Sequence, residues 1–170
     1  MTNVMSTEYA PAIWRPLQAD HFIAGPCHKD RIILHITQGP SASSAFWTFW
    51  GSKSVIDGGT GRVSVQFCID RDGTVYQYTP MRSWSWHASQ VNQRSVGIEH
   101  AAMANGVLGI TPAQLESSAA LVAFLSKTLS IPLDRAHVQS HNEASPIDHH
   151  VLCCSPTLSP DDVVRKALTK

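Results

Sequence analysis

Four residues of the kinds that bind or assist a metal ion are spread over a chain of 170 residues. His35 and Glu99 each end a short apolar run, and His141 and Cys154 lie in a loop-like stretch near the C-terminus. Two imidazoles and a thiolate suit Zn²⁺, and three protein ligands leave the fourth tetrahedral position open for water, as in catalytic zinc sites. The set therefore predicts a hydrolytic metal site with Glu99 as the carboxylate at its edge.

The C-terminal region permits a different metal site. His149, His150, Cys153 and Cys154 supply two imidazoles and two thiols close together, which would close all four positions of a structural zinc ion. Because neighbouring side chains diverge in extended backbone, adjacent pairs are poor joint ligands for one ion. We therefore favour the open site with three ligands, and Cys153 remains the alternative to Cys154 as its third ligand.

Composition and charge argue against several classes of protein. Lys plus Arg and Asp plus Glu number 13 each, so no net field points to a nucleic acid or an anionic membrane as partner. No segment approaches the roughly 18 consecutive apolar residues of a membrane span. The four cysteines do not resemble a disulfide framework at this length. We expect a monomeric globular protein that binds no nucleic acid and does not insert stably into a membrane.

Short strands must position the candidate ligands. Residues 31–35 and 95–100 are apolar and rich in β-branched side chains, which predicts buried strands. Residues 63–69 and 74–78 flank an Asp-Gly pair, a strong signal for a β-hairpin. The glycine-rich residues 58–61 are expected to form a loop.

Three helices are expected between and after these strands. Residues 41–50 suit a helix capped by a serine. Thr111 is a natural N-cap, a proline follows it, and Gln114 completes a capping box for a helix that runs to about Leu129. A last helix opens at Ser159 by the same logic.

Strands interleaved with helices predict an α/β fold, a single domain with a central mixed β-sheet flanked by helices and a zinc site in a surface cleft. Residues 1–30 are punctuated by proline and glycine and are expected to form an N-terminal extended arm packed on the core. Residues 31–170 would then form the catalytic domain. At this length one domain is expected.

Five segments together resemble the zinc-dependent N-acetylmuramoyl-L-alanine amidases of the amidase type 2 class, which are similar to the peptidoglycan recognition proteins. They follow the family's order along almost the whole chain. The segments are ILHITQG at 33–39, VQFCIDRDGTVYQ at 65–77, WHA at 86–88, NQRSVGIE at 92–99, and HNEASP at 141–146 leading to CSP at 154–156.

The resemblance implies a role for each matching position. His35 and His141 look like the two imidazole ligands of one Zn²⁺ ion, and Cys154 looks like the third ligand, where members carry Asp or Cys. Glu99 falls on the catalytic carboxylate. The candidate substrate-binding residues are Trp86, His87 and Asn92, although Trp86 also suits the core and His87 also suits support of a ligand.

The chain departs from the family pattern at two positions. Many members have a basic residue two positions before the third ligand, where it helps to neutralise an oxyanion. Here that position is Leu152, and the nearby His149 or His150 is the candidate replacement, with His150 preferred. Gln66 stands where the family commonly has histidine.

The resemblance implies hydrolysis of the amide bond between N-acetylmuramic acid and L-alanine of peptidoglycan, with peptidoglycan or a muropeptide as substrate. Residues 1–10 show no basic region followed by an apolar one, so no Sec signal peptide is expected. Synthesis in the cytoplasm and bacteriolytic action on the cell wall after release, as in a phage endolysin, is the expected setting. The alternatives are a cytosolic muropeptide-recycling amidase, a non-catalytic peptidoglycan-binding module and a zinc peptidase that cuts within the stem peptide.

Overall fold

A computed structural model describes residues 7–52, 62–154 and 156–170. Six strands form the main sheet in the order β1-β5-β4-β7-β3-β8, and β2 and β6 form a separate antiparallel pair. Only β4 and β5 are antiparallel within the main sheet, which is therefore mixed. The strands are β1 Ile13–Trp14, β2 Phe22–Ile23, β3 Arg31–Ile36, β4 Phe67–Ile69, β5 Val75–Gln77, β6 Trp84–Ser85, β7 Ser95–His100 and β8 Val138–Ser140.

Four α-helices accompany the described strands. They are α1 Ala42–Trp50, α2 Pro112–Leu129, α3 His141–Ala144 and α4 Pro160–Ala167. Ser41 caps α1 by accepting a hydrogen bond from the Ser44 amide at 3.1 Å. Thr111 and Gln114 form the predicted capping box of α2, and a proline occupies its first turn. No described helix is long and apolar enough to cross a membrane.

The alternation of side chains along the central strands separates a packing face from a chemical face. Successive residues of a strand point to opposite sides of a sheet. On β3, Ile32, Leu34 and Ile36 join the large apolar core, and so do Val96 and Ile98 on β7. Helices α2 and α4 cover this side of the sheet and contact each other. The residues between them in sequence, including His35 and Glu99, therefore point to the other face.

A smaller apolar cluster covers part of that second face. Its members come from the segment after β1, from α1 and from the hairpin with its flanking residues: Leu17, Ala42, Ala45, Phe46, Phe49, Val65, Cys68 and Tyr78. The Tyr78 hydroxyl donates a hydrogen bond to the Ala42 carbonyl at 2.8 Å, which ties α1 to the hairpin. The rest of the face stays available for polar side chains.

The predicted α/β architecture with a central mixed sheet is confirmed. The strands at 31–35 and 95–100, the hairpin and the three predicted helices all form. Strand β4 is shorter than the predicted strand at 63–69, and the predicted loop at 58–61 lies outside the described residues. Within the predicted arm, β1 pairs with β5 at the sheet edge, and the division at residue 30 stays a prediction.

Candidate functional site

Two adjacent parallel strands place His35 and Glu99 side by side. Strands β3 and β7 pair in register, with His35 opposite Glu99 near the carboxyl ends of both strands. Because paired residues of neighbouring strands point to the same face, the imidazole and the carboxylate share one surface. Ligand sites in open α/β sheets commonly lie beyond the carboxyl ends of the strands.

His141 reaches the same edge of the sheet through β8. This strand pairs in parallel with β3 and ends at Ser140, directly before His141. The residue pattern around His141 predicts a loop-like stretch, whereas the structure shows His141 as the first residue of α3. Ser140 and Glu143 form a capping box that starts this short helix. The Ser-x-x-Glu pattern was readable in the sequence and would have predicted the helix start.

His35, His141 and Cys153 form a compact cluster of possible metal ligands. Their ligand atoms all lie within 4.8 Å of one another, and all three residues are buried. Cys153 Sγ lies 3.9 Å from His35 Nδ1 and accepts a hydrogen bond from the Ile36 amide at 3.4 Å. Two imidazoles and one thiolate match the donor set that zinc prefers.

The structure corrects the choice of thiolate, because Cys153 rather than Cys154 joins the two histidines. The side chain of Cys154 turns into the protein, where its thiol donates a hydrogen bond to the Leu34 carbonyl at 3.2 Å. Both cysteines lie at the end of a turn, and of the two only Cys153 has its sulfur among the possible ligand atoms of the cluster. Sequence spacing alone could not decide which one does.

The two thiols also differ in how readily they lose a proton. Hydrogen bonds with the Cys154 thiol and with His141 lower the pKa of Cys153, against burial, which raises it. Contact with Cys153 and burial raise the pKa of Cys154. A metal ligand must be a thiolate, so these directions favour Cys153 as the ligand. All four cysteines are free thiols in this structure.

The alternative closed site at the C-terminus is not assembled among the described residues. His149 and His150 are exposed, whereas Cys154 is buried against β3, and the cluster of possible ligands includes none of the three. His150 instead lies over His141, with ring centroids 4.4 Å apart. It is therefore placed beside the cluster, on the solvent side.

Glu99 faces the cluster from the sheet. A cavity of about 350 Å³ is lined by Glu99, by the three cluster residues and by His87 and His150, among others. Glu99 Oε2 is buried and has no hydrogen-bond partner within residues 7–52, 62–154 and 156–170. Burial raises the pKa of Glu99 well above its usual value, with a smaller contribution from Cys153. An unpartnered buried carboxylate oxygen in a polar cavity is suited to exchanging a proton with a small ligand.

Each histidine of the cluster has a partner on its other ring nitrogen. His141 Nε2 lies 2.8 Å from Asp148 Oδ2, and His35 Nε2 lies 3.0 Å from His87 Nδ1. Burial opposes the charged form of His141, but hydrogen bonds with Cys153 and Asp148 outweigh it and raise its pKa. Burial lowers the pKa of His35. Sequence reasoning missed Asp148, since nothing in its spacing marks it as a partner of His141.

The three candidate substrate-binding residues lie along a second cavity of about 380 Å³, which also borders His141 and His150. Asn92 Oδ1 accepts hydrogen bonds from the backbone amides of His87 and Ala88, so this side chain holds the preceding loop. Both ring nitrogens of His87 already have protein partners, His35 and Ser95. Trp86 is half-buried. Their contact with substrate stays a prediction.

The family's usual basic residue has no direct replacement at its position. Counting two residues back from Cys153 gives Val151, and counting back from Cys154 gives Leu152. Both are exposed apolar side chains at the cavity rim. Of the two proposed substitutes, His149 and His150, both line the cavity, and His150 also contacts the ring of His141.

A family model described as Amidase_2, N-acetylmuramoyl-L-alanine amidase, matches residues 27–160. The chain is similar to N-acetylmuramoyl-L-alanine amidase A of Achromobacter lyticus, with 25% identity over 117 residues. That match covers 68% of this chain and 62% of the relative, so the chain corresponds to less than two thirds of the curated protein.

Solved structures share the fold over nearly the full length. A selenomethionine derivative of AmpD superimposes with a TM-score of 0.70 at 22% identity, covering 93% of this chain and 95% of that one. The endolysin N-acetylmuramoyl-L-alanine amidase LysCS from Clostridium intestinale URNW gives 0.66 at 19% identity, covering 94% and 96%. Because the family model spans most of the chain, from before β3 to the start of α4, this protein belongs to the N-acetylmuramoyl-L-alanine amidase family.

Proposed function

We propose that the protein is a zinc-dependent amidase that hydrolyses the bond between N-acetylmuramic acid and L-alanine of peptidoglycan. The observation that carries this proposal is the juxtaposition of Glu99 with a cluster of three ligands in one cavity. Family membership supports the substrate, because the family is described by this bond. A non-catalytic binding module would not require a buried, unpartnered carboxylate at this position.

The donor set fits a zinc ion. His35, His141 and Cys153 would supply two nitrogens and one sulfur, and three protein ligands are characteristic of catalytic rather than structural zinc. When bound, the ion supplies Lewis acidity, which activates water and polarises an amide carbonyl. The protein residues then have to move protons and orient the substrate.

Glu99 is suited to proton transfer in both halves of the reaction. Its unpartnered Oε2 can accept a proton from the attacking water and later donate it to the departing nitrogen of L-alanine. The raised pKa brings the carboxyl closer to the value at which it can both accept and donate near neutral pH. His150, over the ring of His141 at the cavity rim, is the proposed donor to the developing oxyanion.

The two adjoining cavities support a substrate that extends on both sides of the scissile bond. The cavity around Glu99 and the cavity along Trp86 share His87, His141 and His150. A ligand with its scissile bond at the cluster can therefore place one part in each cavity. A sugar and a peptide joined by an amide meet this requirement.

The proposal is tested by incubating the zinc-loaded protein with purified cell walls and analysing the products by mass spectrometry. We expect free stem peptides whose new N-terminus is L-alanine. Glu99→Gln should bind zinc normally yet lose about 10²- to 10⁴-fold in turnover, the usual contribution of a general acid–base. Fragments cut within the stem peptide would instead identify a zinc peptidase. Wall binding without any product would identify a binding module.

For the biological setting, we propose lysis of intact cell wall after release from the cytoplasm, by a monomer whose described site is built from one chain. The alternative is a recycling amidase that acts on soluble muropeptides. Comparing turnover on intact sacculi with turnover on soluble muropeptides separates them. A strong preference for sacculi is expected, whereas activity confined to soluble fragments would favour the recycling role.

A further inference from the structure

A chain of buried hydrogen bonds leads from β7 to the His35 ligand. The Ser95 hydroxyl donates to the Val91 carbonyl at 2.7 Å. The same oxygen lies 3.1 Å from His87 Nε2, and His87 Nδ1 lies 3.0 Å from His35 Nε2. All of these side chains are buried.

The direction of each bond in this chain can be worked out from the proton count. A serine hydroxyl has one proton, and here it is given to the Val91 carbonyl, which can only accept. Ser95 Oγ must therefore accept from His87, which places the His87 proton on Nε2. A neutral imidazole with its proton on Nε2 is an acceptor at Nδ1.

The acceptor on His87 then sets the tautomer of His35. His87 Nδ1 has to receive a proton from His35 Nε2, which leaves the lone pair of His35 on Nδ1. His35 Nδ1 is the nitrogen that faces Cys153 Sγ, 3.9 Å away. The neutral form of His87 required here is the form that burial favours.

The His87 ring is packed closely by β7 on one side, and its backbone is held by Asn92 on the other. A β-carbon on Gly97 would lie 2.8 Å from His87 Nδ1 and 2.7 Å from Val65 Cγ2, so only glycine leaves space for the ring. On the other side, Asn92 accepts hydrogen bonds from the amides of His87 and Ala88 at 2.8 and 2.7 Å. The Gly97 position of the Val-Gly-Ile-Glu segment is thus explained by the ring that it accommodates.

We infer that His87 is a positioning residue that holds His35 in the Nε2–H tautomer, with its Nδ1 lone pair directed at the metal position. This inference rests on the proposed metal site. It differs from the predicted role of His87 in substrate binding, because it acts through His35 rather than through contact with substrate. Partners of this kind typically change metal affinity by about 10- to 100-fold.

The first test compares zinc affinity, measured by competition with a chromophoric chelator, in three variants of the full chain. His87→Leu removes the acceptor and should weaken zinc binding by about 10- to 100-fold. His87→Asn keeps an acceptor at the position of Nδ1 and should retain most of the affinity. Ser95→Ala, which leaves His87 in place, should have a smaller effect than His87→Leu. Equal affinity in His87→Leu and the wild type would overturn the inference.

A second measurement separates a positioning role from loss of folding and from failure of the metal proposal. Long-range ¹H–¹⁵N correlation spectra of the metal-free wild type report the tautomer of each histidine directly. We expect His35 and His87 both to carry their proton on Nε2. A proton on His35 Nδ1 would overturn the inference even if zinc binds. If the wild type binds no zinc but shows the expected tautomers, the proposed function fails, and the spectra still show that His87 fixes the tautomer of His35.

Discussion

The two histidines of the cluster are held by different kinds of structure. His35 lies on β3, which is paired on one side with β7 and on the other with β8. His141 begins the four-residue helix α3 and belongs to a segment that also supplies Cys153. His35 therefore lies within a strand that is paired on both sides, whereas His141 follows the end of β8 and Cys153 lies in a turn.

Their orienting partners differ in charge. His35 contacts the imidazole of His87, which in turn contacts the Ser95 hydroxyl, whereas His141 contacts the carboxylate of Asp148. A carboxylate partner raises the basicity of a histidine ligand, and a neutral partner mainly fixes its tautomer. The sheet side of the cluster, His35 on β3 with Glu99 on β7, thus supplies a preoriented imidazole. The loop side, residues 141–153, supplies charge.

The largest effect is expected from the thiolate. Cys153→Ser should lose zinc and activity together, because an alcohol is a far weaker zinc ligand than a thiolate. Cys154→Ser is the matched control, one residue away, and should keep both, with a change only in stability from the altered bond to the Leu34 carbonyl. Zinc content by atomic absorption, with turnover on cell walls, checks both variants. Loss of zinc in Cys154→Ser alone would restore the original assignment from the sequence.

The loop side is tested next through Asp148. Asp148→Ala should weaken zinc binding by about 10- to 100-fold, since His141 loses its carboxylate partner. Asp148→Asn keeps an acceptor without the charge and should lose less. Both substitutions also affect the Ser89 amide, which donates to Asp148 at 3.1 Å. Calorimetric zinc titration gives the affinities. Full affinity in Asp148→Ala would show that charge on this side is not needed.

Metal removal should loosen the two sides unequally. The loop side is closed by a hydrogen bond from the Asn142 amide to the Cys153 carbonyl at 3.1 Å, and its residues form no strand of the sheet. We expect hydrogen exchange after chelation to accelerate over residues 141–153 and to change little over β3 and β7. Mass spectrometry of peptic fragments with and without zinc measures this. Equal acceleration in both regions would contradict the division.

The smallest effect on the site is expected from Lys29, which holds the ends of the loop that carries His87. Lys29 is 1% exposed, and its ammonium group donates to the carbonyls of Ser83 at 2.7 Å and Gln93 at 2.9 Å, next to the loop that carries His87. Burial lowers the pKa of Lys29 from 10.5 to about 8. Between these pH values the unfolded chain binds more protons than the folded one, so stability rises with pH.

The matched variant for this prediction is Lys29→Met, which keeps the length of the side chain. Relative to this variant, the free energy of unfolding of the wild type should rise by at most about 3 kcal/mol between pH 8 and 10.5. Urea unfolding at several pH values measures the difference. A difference that falls or stays constant over this range would show that the ammonium is not destabilised by burial.

The sequence allowed the sheet side of the site to be predicted better than the loop side. His35 and Glu99 end apolar runs whose strand character is local, and parallel strands bring their carboxyl ends to one edge. The thiolate could not be assigned, because two adjacent cysteines differ only in the direction of their side chains. Asp148 and the tautomer chain through His87 depend on tertiary contacts that no spacing reveals.

The proposed activity depends on a metal ion held between the sheet side and the loop side. An anomalous-scattering map of zinc-loaded crystals at the zinc absorption edge tests it most directly. We predict one peak, at about 2.0 to 2.1 Å from His35 Nδ1 and His141 Nδ1 and about 2.3 Å from Cys153 Sγ, with its fourth direction open towards Glu99. No peak at this position, or a peak enclosed by four protein ligands that include Cys154, would contradict the account.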